Sequence, residues 1–324
     1  MTRSQILFAS ALLAAIVLPS CSPARTMALW TASAKVPAPA VGGSKAANQK
    51  FWETFHGARY EEIPQALDAL TAVYLDNPND AETAAHIGFL HTWRLSESGR
   101  QPNLSPTITD DLVIAHKYFA EAVQLAPNDM RFQGFLAGTE LMEGTLHKDE
   151  KLTRRGYFDL MDAKDAWPEF NLFTAGYVMS GLPYTESRYT DAVDYQWETL
   201  DRCAGEKVDR KTGSFAKYMP LETKEGWKRV CWNSWIAPHN FEGFFLNMGD
   251  MIVKQGDVAT ARNVYAQARL SKTYAAWPHK ETLEKRITDA EENVARFRKA
   301  PRVEKERPMM GESTFSCMGC HQQE

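Results

Sequence analysis

From Phe51 to Ala300 apolar residues recur at three- and four-residue steps, and no stretch sustains the apolar–polar alternation of a half-buried strand. The chain is therefore expected to be all-α. Its clearest single element runs from Glu281 to Ala300, where Leu283, Ile287, Ala290, Val294 and Phe297 form one stripe and the other face is charged. This predicts one long terminal helix with a solvated outer surface, ended by Pro301. Upstream, Asn77-Pro78-Asn79-Asp80 and Pro127-Asn128-Asp129 each stop one helix and supply the N-cap of the next.

A longer period lies over this pattern. Ala66, Leu70, Val73 and Pro78 follow one another at fixed intervals. The same intervals recur at Ala115, Phe119, Ala122 and Pro127, and again at Gly156, Leu160, Ala163 and Pro168. Gly249, Gly256-Asp257, Ala261, Tyr265 and Ala268 give the spacing across both helices of one unit. Ile87-Gly88 and Met248-Gly249 are apolar–glycine pairs of first helices, and Leu136-Ala137 matches in part. Small residues let the two helices of a hairpin approach closely, the large residue fills the gap to the next hairpin, and proline stops the second helix. These spacings resemble the tetratricopeptide repeat (TPR) family. The resemblance implies an irregular TPR-like helical-repeat superhelix over residues 51–300. It departs from the family at Ser96 to Asp110, extra sequence between the helices of one unit, and at about 171–244, expected to be a non-repeat insert. The last unit lacks the expected Pro and carries Trp277-Pro278 later.

The N-terminus reads differently. Arg3 precedes Ile6 to Leu18, which is apolar except for Ser10. That run is shorter than the roughly 20 residues needed to span a bilayer. It has the form of a secretory signal peptide over residues 1–20. Leu18-Pro19-Ser20-Cys21 resembles a bacterial lipobox, which implies lipidation of Cys21, although Pro19 departs from the usual pattern. The alternative is ordinary cleavage at Ala32-Ser33-Ala34. Residues 21–50, with Pro23, Pro37, Pro39, Gly42 and Gly43, read as a flexible tether. The expectation is an exported protein on a membrane anchor, facing the periplasm or the cell surface. Ser22, in place of a retention Asp, favours the outer membrane.

Composition removes whole classes of function. The 324 residues carry 37 basic and 41 acidic side chains, a net charge of −4, with no basic block of the kind that binds nucleic acid. The mean hydropathy of −0.42 excludes a multi-span membrane protein. No G-x-S-x-G, HExxH or phosphate loop is present, which argues against a hydrolase or a nucleotide enzyme.

The chemistry lies at the other end, in Cys317-Met318-Gly319-Cys320-His321. This CxxCH resembles the haem-attachment motif of c-type cytochromes. The resemblance implies one covalent haem c, with the thiols of Cys317 and Cys320 joined to its vinyl groups and His321 as the proximal iron ligand. A CxxC alone also suits a zinc half-site or a redox dithiol, but no second CxxC or paired His supplies the remaining zinc ligands. Only Gln322, Gln323 and Glu324 follow the motif here, and residues 301–316, with Pro308 and Gly311, read as an extended connector. Class II cytochromes place the motif at the end of an amphipathic helix, which this connector does not resemble. The haem then either docks on the repeat scaffold or hangs on a mobile tail and completes its burial on a partner. Candidate distal ligands are Met310, Met309 and His239, the last in Pro238-His239-Asn240-Phe241 near Trp232 and Trp235, which offer rings to a porphyrin. His239-x-x-Glu242 lacks the second pair that a di-iron site requires. His86 and His91 are five apart and share no helix face.

The five cysteines then divide cleanly. With lipid on Cys21 and haem on Cys317 and Cys320, Cys203 and Cys231 remain, and an oxidising compartment predicts a disulfide between them. The alternative is two buried free thiols. The leading functional expectation is electron transfer with a redox protein partner bound by the TPR-like groove, with no catalytic residue assigned. One alternative is an interaction or assembly scaffold whose haem is structural or sensory. Another is a peroxidase-like haem enzyme, although such enzymes usually carry two CxxCH motifs.

Overall fold

Four helices begin where an aspartate caps them. A computed structural model describes residues 42–57, 59–98, 107–221, 225–232, 242–299 and Met309. Among the described residues there are twelve α-helices and no strand. The first six are α1 (Gly42–His56), α2 (Ile63–Asp76), α3 (Ala81–Ser96), α4 (Asp110–Leu125), α5 (Met130–His147) and α6 (Glu150–Ala166). The remainder are α7 (Pro168–Met179), α8 (Ser187–Ala204), α9 (Glu242–Gln255), α10 (Val258–Gln267), α11 (Lys280–Thr288) and α12 (Ala290–Arg298). The Asp80 carboxylate accepts from the backbone N–H of Glu82 at 3.1 Å and of Thr83 at 3.3 Å, and Asp129 accepts from Arg131 at 3.0 Å. Asp149 and Asp257 do the same for α6 and α10. Each cap satisfies N–H groups that have no partner inside the helix, and its negative charge suits the positive end of the helix dipole.

Consecutive helices pair as hairpins, α1 with α2, α3 with α4, α5 with α6, α7 with α8 and α9 with α10. In α3–α4, α5–α6 and α7–α8 the contact within the pair is more extensive than contact with the next pair. The small residues of the repeated spacing sit at the crossings. Ala66, Ala115 and Ala261 are fully buried, and the Phe119 ring lies against Gly88. Two main cores result. One gathers Phe51, Leu70, Ile87, Trp93 and Phe119, and the other gathers Tyr189, Trp197, Trp232, Phe245, Met251 and Tyr265. None of the described helices is long and apolar enough to cross a membrane.

Three boundaries differ from the sequence expectation. The tether expected over 21–50 does not extend past residue 41, because α1 already starts at Gly42. Its first turns look polar but are buried: Ser44, Ala47 and Asn48 continue the stripe of Phe51 and Phe55. The Asn48 amide donates to Thr83 Oγ1 at 3.1 Å, so the polar group is matched across the hairpins. The expected insert at 171–244 narrows, because α7 and α8 form a hairpin of their own. Gly176 brings α7 within 2.8 Å of the Ala192 carbonyl, measured from where a Cβ would stand, so this glycine permits the close crossing. The irregular part among the described residues is 205–221 and 225–232.

The terminal helix is interrupted at Asp289, between α11 and α12. Arg262 of α10 donates from Nε to the Ile287 carbonyl at 3.0 Å, and its guanidinium pairs with Glu291. That carbonyl is the one the Glu291 N–H of a continuous helix would use, and Arg262 competes for it. A side chain inserted into the helix ladder is a recognised cause of a break.

Candidate functional site

Cys21, His239, Met310, Cys317, Cys320 and His321 lie outside the described residues. Met309, the one distal-ligand candidate that is described, is half-buried against the second core. Eight residues before Cys317, therefore, the chain lies on the folded body.

Cys203 and Cys231 form a disulfide, with Cα atoms 5.4 Å apart and both residues buried. Cys203 belongs to the last turn of α8, and Cys231 follows a 3-10 turn, Trp227–Val230. Trp232 is not a surface for a porphyrin but part of the second core, stacked on Tyr218 at 5.4 Å. Its neighbour Trp235 lies outside the described residues. Glu242 is buried at the start of α9, where Thr273 Oγ1 donates to it at 2.7 Å.

The 3-10 turn is fixed over α7. Val230 is fully buried with Trp167 and Phe170, in a third cluster that Met130, Phe135 and Phe173 complete. Trp167 Nε1 donates to the Trp227 carbonyl at 2.9 Å, and the Arg229 guanidinium lies 4.0 Å from the Trp167 ring centre. Trp227 stands edge-on to Trp167, with 59 % of its surface exposed.

This cluster ends a row of aromatic rings that the sequence expectation did not include. Phe55 of α1, Phe89 of α3, Phe135 of α5, and Phe170, Phe173 and Tyr177 of α7 follow one another with centroids 4.4–6.4 Å apart. Every member belongs to the first helix of its hairpin. Phe89, Phe135, Phe173 and Tyr177 are half-exposed. The available signal was an aromatic residue in each first helix, as at Phe89 directly after Ile87-Gly88.

His56, His86, His91 and His116 serve the scaffold. His86 is buried, its ring stacked on Phe51 at 3.8 Å and its Nδ1 2.5 Å from Asn48 Oδ1. Burial pushes its pKa down to about 3, and that of His56 down to about 4. His91 faces the opposite way, 2.6 Å from Asp111 Oδ1 on α4. His116 lies between Glu140 at 3.5 Å and Glu143 at 2.7 Å. Its bond to Glu140, joined by that to Glu143, outweighs burial and raises its pKa. Among the described residues, no group of three or more His, Cys, Asp or Glu is arranged to hold a metal ion. No family model, curated protein or solved structure matches this chain.

Proposed function

We propose that the protein is a lipid-anchored monohaem c-type cytochrome, whose TPR-like scaffold recruits a redox protein partner for electron transfer. The observation that carries this reading is Cys317-Met318-Gly319-Cys320-His321. The motif spaces two thiols three residues apart for thioether formation, with an imidazole directly after them to ligate the iron. Bound there, the haem would take up and release one electron.

The disulfide supports the exported part of the reading. Such bonds persist in oxidising compartments, and Cys203–Cys231 accounts for the two cysteines left over by lipid and haem. Met310, Met309 or His239 would fill the distal position, and the packing of Met309 against the second core favours Met310. A thioether ligand raises the reduction potential, which suits electron transfer. A lipid on Cys21 would confine the encounter with the partner to a membrane surface and raise its effective concentration. The half-exposed aromatic row on α3, α5 and α7 is the surface we assign to partner recruitment. It equally favours a second reading, an assembly scaffold in which the haem is structural or sensory.

The deciding experiment is an absorption spectrum of the purified chain, produced in a host with c-type haem maturation and treated with pyridine, alkali and reductant. One covalent haem per chain, lost with Cys317→Ala and Cys320→Ala, is the expected result. A chain without covalent haem overturns the reading. CO binding by the ferrous protein would mark an open iron site and revive a peroxidase-like enzyme. Cys21→Ala is expected to move the protein out of the membrane fraction, and its retention there would overturn the lipid anchor.

A further inference from the structure

Trp227 presents an unusual combination of exposure and fixation. Its side chain is 59 % exposed, yet the turn that carries it is held from three sides. Trp167 donates to its carbonyl, Val230 is buried in the third cluster, and Cys231 is tied to α8 through Cys203. A large ring presented on a fixed backbone loses little entropy when it is covered, which is the property of an interface anchor. The Arg229 guanidinium lies beside it, over Trp167 and donating to the Gly226 carbonyl at 2.7 Å. Arg131 adds a second positive charge nearby, itself paired with Asp129. Half-exposed Phe135 and Phe173 continue the surface.

One segment of the chain matches this surface in position and in chemistry. Met309 packs against the second core, and that core shares Phe173 with the third cluster. Residues 310–324, extended from Met309, reach at most about 50 Å. A folded body of this size has a radius of gyration of only about 18 Å. The segment contains Met310, Phe315 and Met318 as large apolar side chains, Glu312 and Glu324 as charges, and no Lys or Arg.

We infer that residues 310–324 dock on the surface of Trp227, Arg229, Phe135 and Phe173, with Phe315 on the Trp227 ring and Glu312 facing Arg229. The docking needs no haem. It goes beyond the proposed function, because it sets Cys317 to His321 beside the aromatic row rather than on a free tail.

Hydrogen exchange of the full-length chain, read by mass spectrometry over residues 310–324, tests this. In the wild type this segment is expected to exchange about tenfold or more slowly than a free chain. Trp227→Ala and Arg229→Glu each abolish the protection, and Glu312→Arg restores it in the Arg229→Glu background. Unchanged exchange of α7 shows that the body remains folded. If Trp227→Ala disturbs α7, Phe315→Ala puts the same question from the other side of the contact. An unprotected wild-type segment overturns the inference, as does protection that survives both Trp227→Ala and Phe315→Ala. Protection lost on dilution overturns it too, by placing the segment on a second copy or another protein. The pyridine spectrum of the same samples reports on the haem separately. A protected segment without haem sinks the cytochrome and leaves the docking, and a haem-bearing chain with a free segment does the reverse.

Discussion

The Tyr265 hydroxyl donates a 2.6 Å hydrogen bond to Oδ1 of Asp250, and Arg286 Nε lies 3.2 Å from the same oxygen. Three helices, α9, α10 and α11, thus meet at one fully buried carboxylate. Burial pushes the Tyr265 phenol well above its ordinary pKa, and the Asp250 charge adds to this, so the tyrosine remains a donor. Removing one partner of a buried ion pair leaves the other charge uncompensated, at a cost of about 3–5 kcal/mol. Asp250→Ala is expected to lower the urea midpoint accordingly. Asp250→Ala with Arg286→Met should recover much of the loss, because the stranded charge is then gone.

Tyr265 also sets a steric limit. A Cβ on Gly249 would stand 2.3 Å from its ring carbons. The ring is held by Asp250 and cannot yield without giving up that bond. Gly249→Ala is therefore expected to destabilise the chain by roughly 1–3 kcal/mol, the usual range for overpacking. A denaturant titration unchanged from the wild type would contradict this crossing.

His56 and His86 predict acid sensitivity. Their folded pKa values, about 4 and about 3, lie below the ordinary value of 6.5. Below pH 6.5 the unfolded chain binds protons that the folded chain refuses, so stability falls as the pH falls. Between pH 7.5 and pH 5 each histidine should account for a loss of about 2 kcal/mol. His116 acts in the opposite direction: its raised pKa gives stability that is complete below pH 6.5 and is lost as the pH rises through the folded value. Urea midpoints at the two pH values check the balance, and His56→Phe should reduce the acid loss.

The disulfide closes a loop with a sequence separation of 28. In the chain-entropy model that contributes up to about 3.5 kcal/mol. Cys203→Ser with Cys231→Ser should lower stability by that order. It should also release the Trp227–Val230 turn, read as a change in Trp227 fluorescence.

How much of this was written in the residues depends on whether the signal was local. Asp80 and Asp129 were legible as caps because a cap is a matter of one side chain and the next two amides. The break at Asp289 was not, because its cause, Arg262, lies on another helix. The α7–α8 hairpin escaped for a related reason: its crossing uses Gly176 against Ala192 and Gln196, outside the spacing of the other units. The disulfide was legible by elimination among five cysteines. The aromatic row was not, because its members are one or a few per helix and become neighbours only when the hairpins stack.

The packing of Met309 changes what the end of the chain has to accomplish. Eight residues from that anchor, Cys317 is confined to a sphere of about 29 Å radius. One group in such a volume has a local concentration on the order of 10 mM. An intrinsic dissociation constant near 1 mM, worth only about 4 kcal/mol, is then enough to keep it mostly bound. A contact that weak forms and parts quickly, so a competing surface of modest affinity can take the group over without unfolding anything.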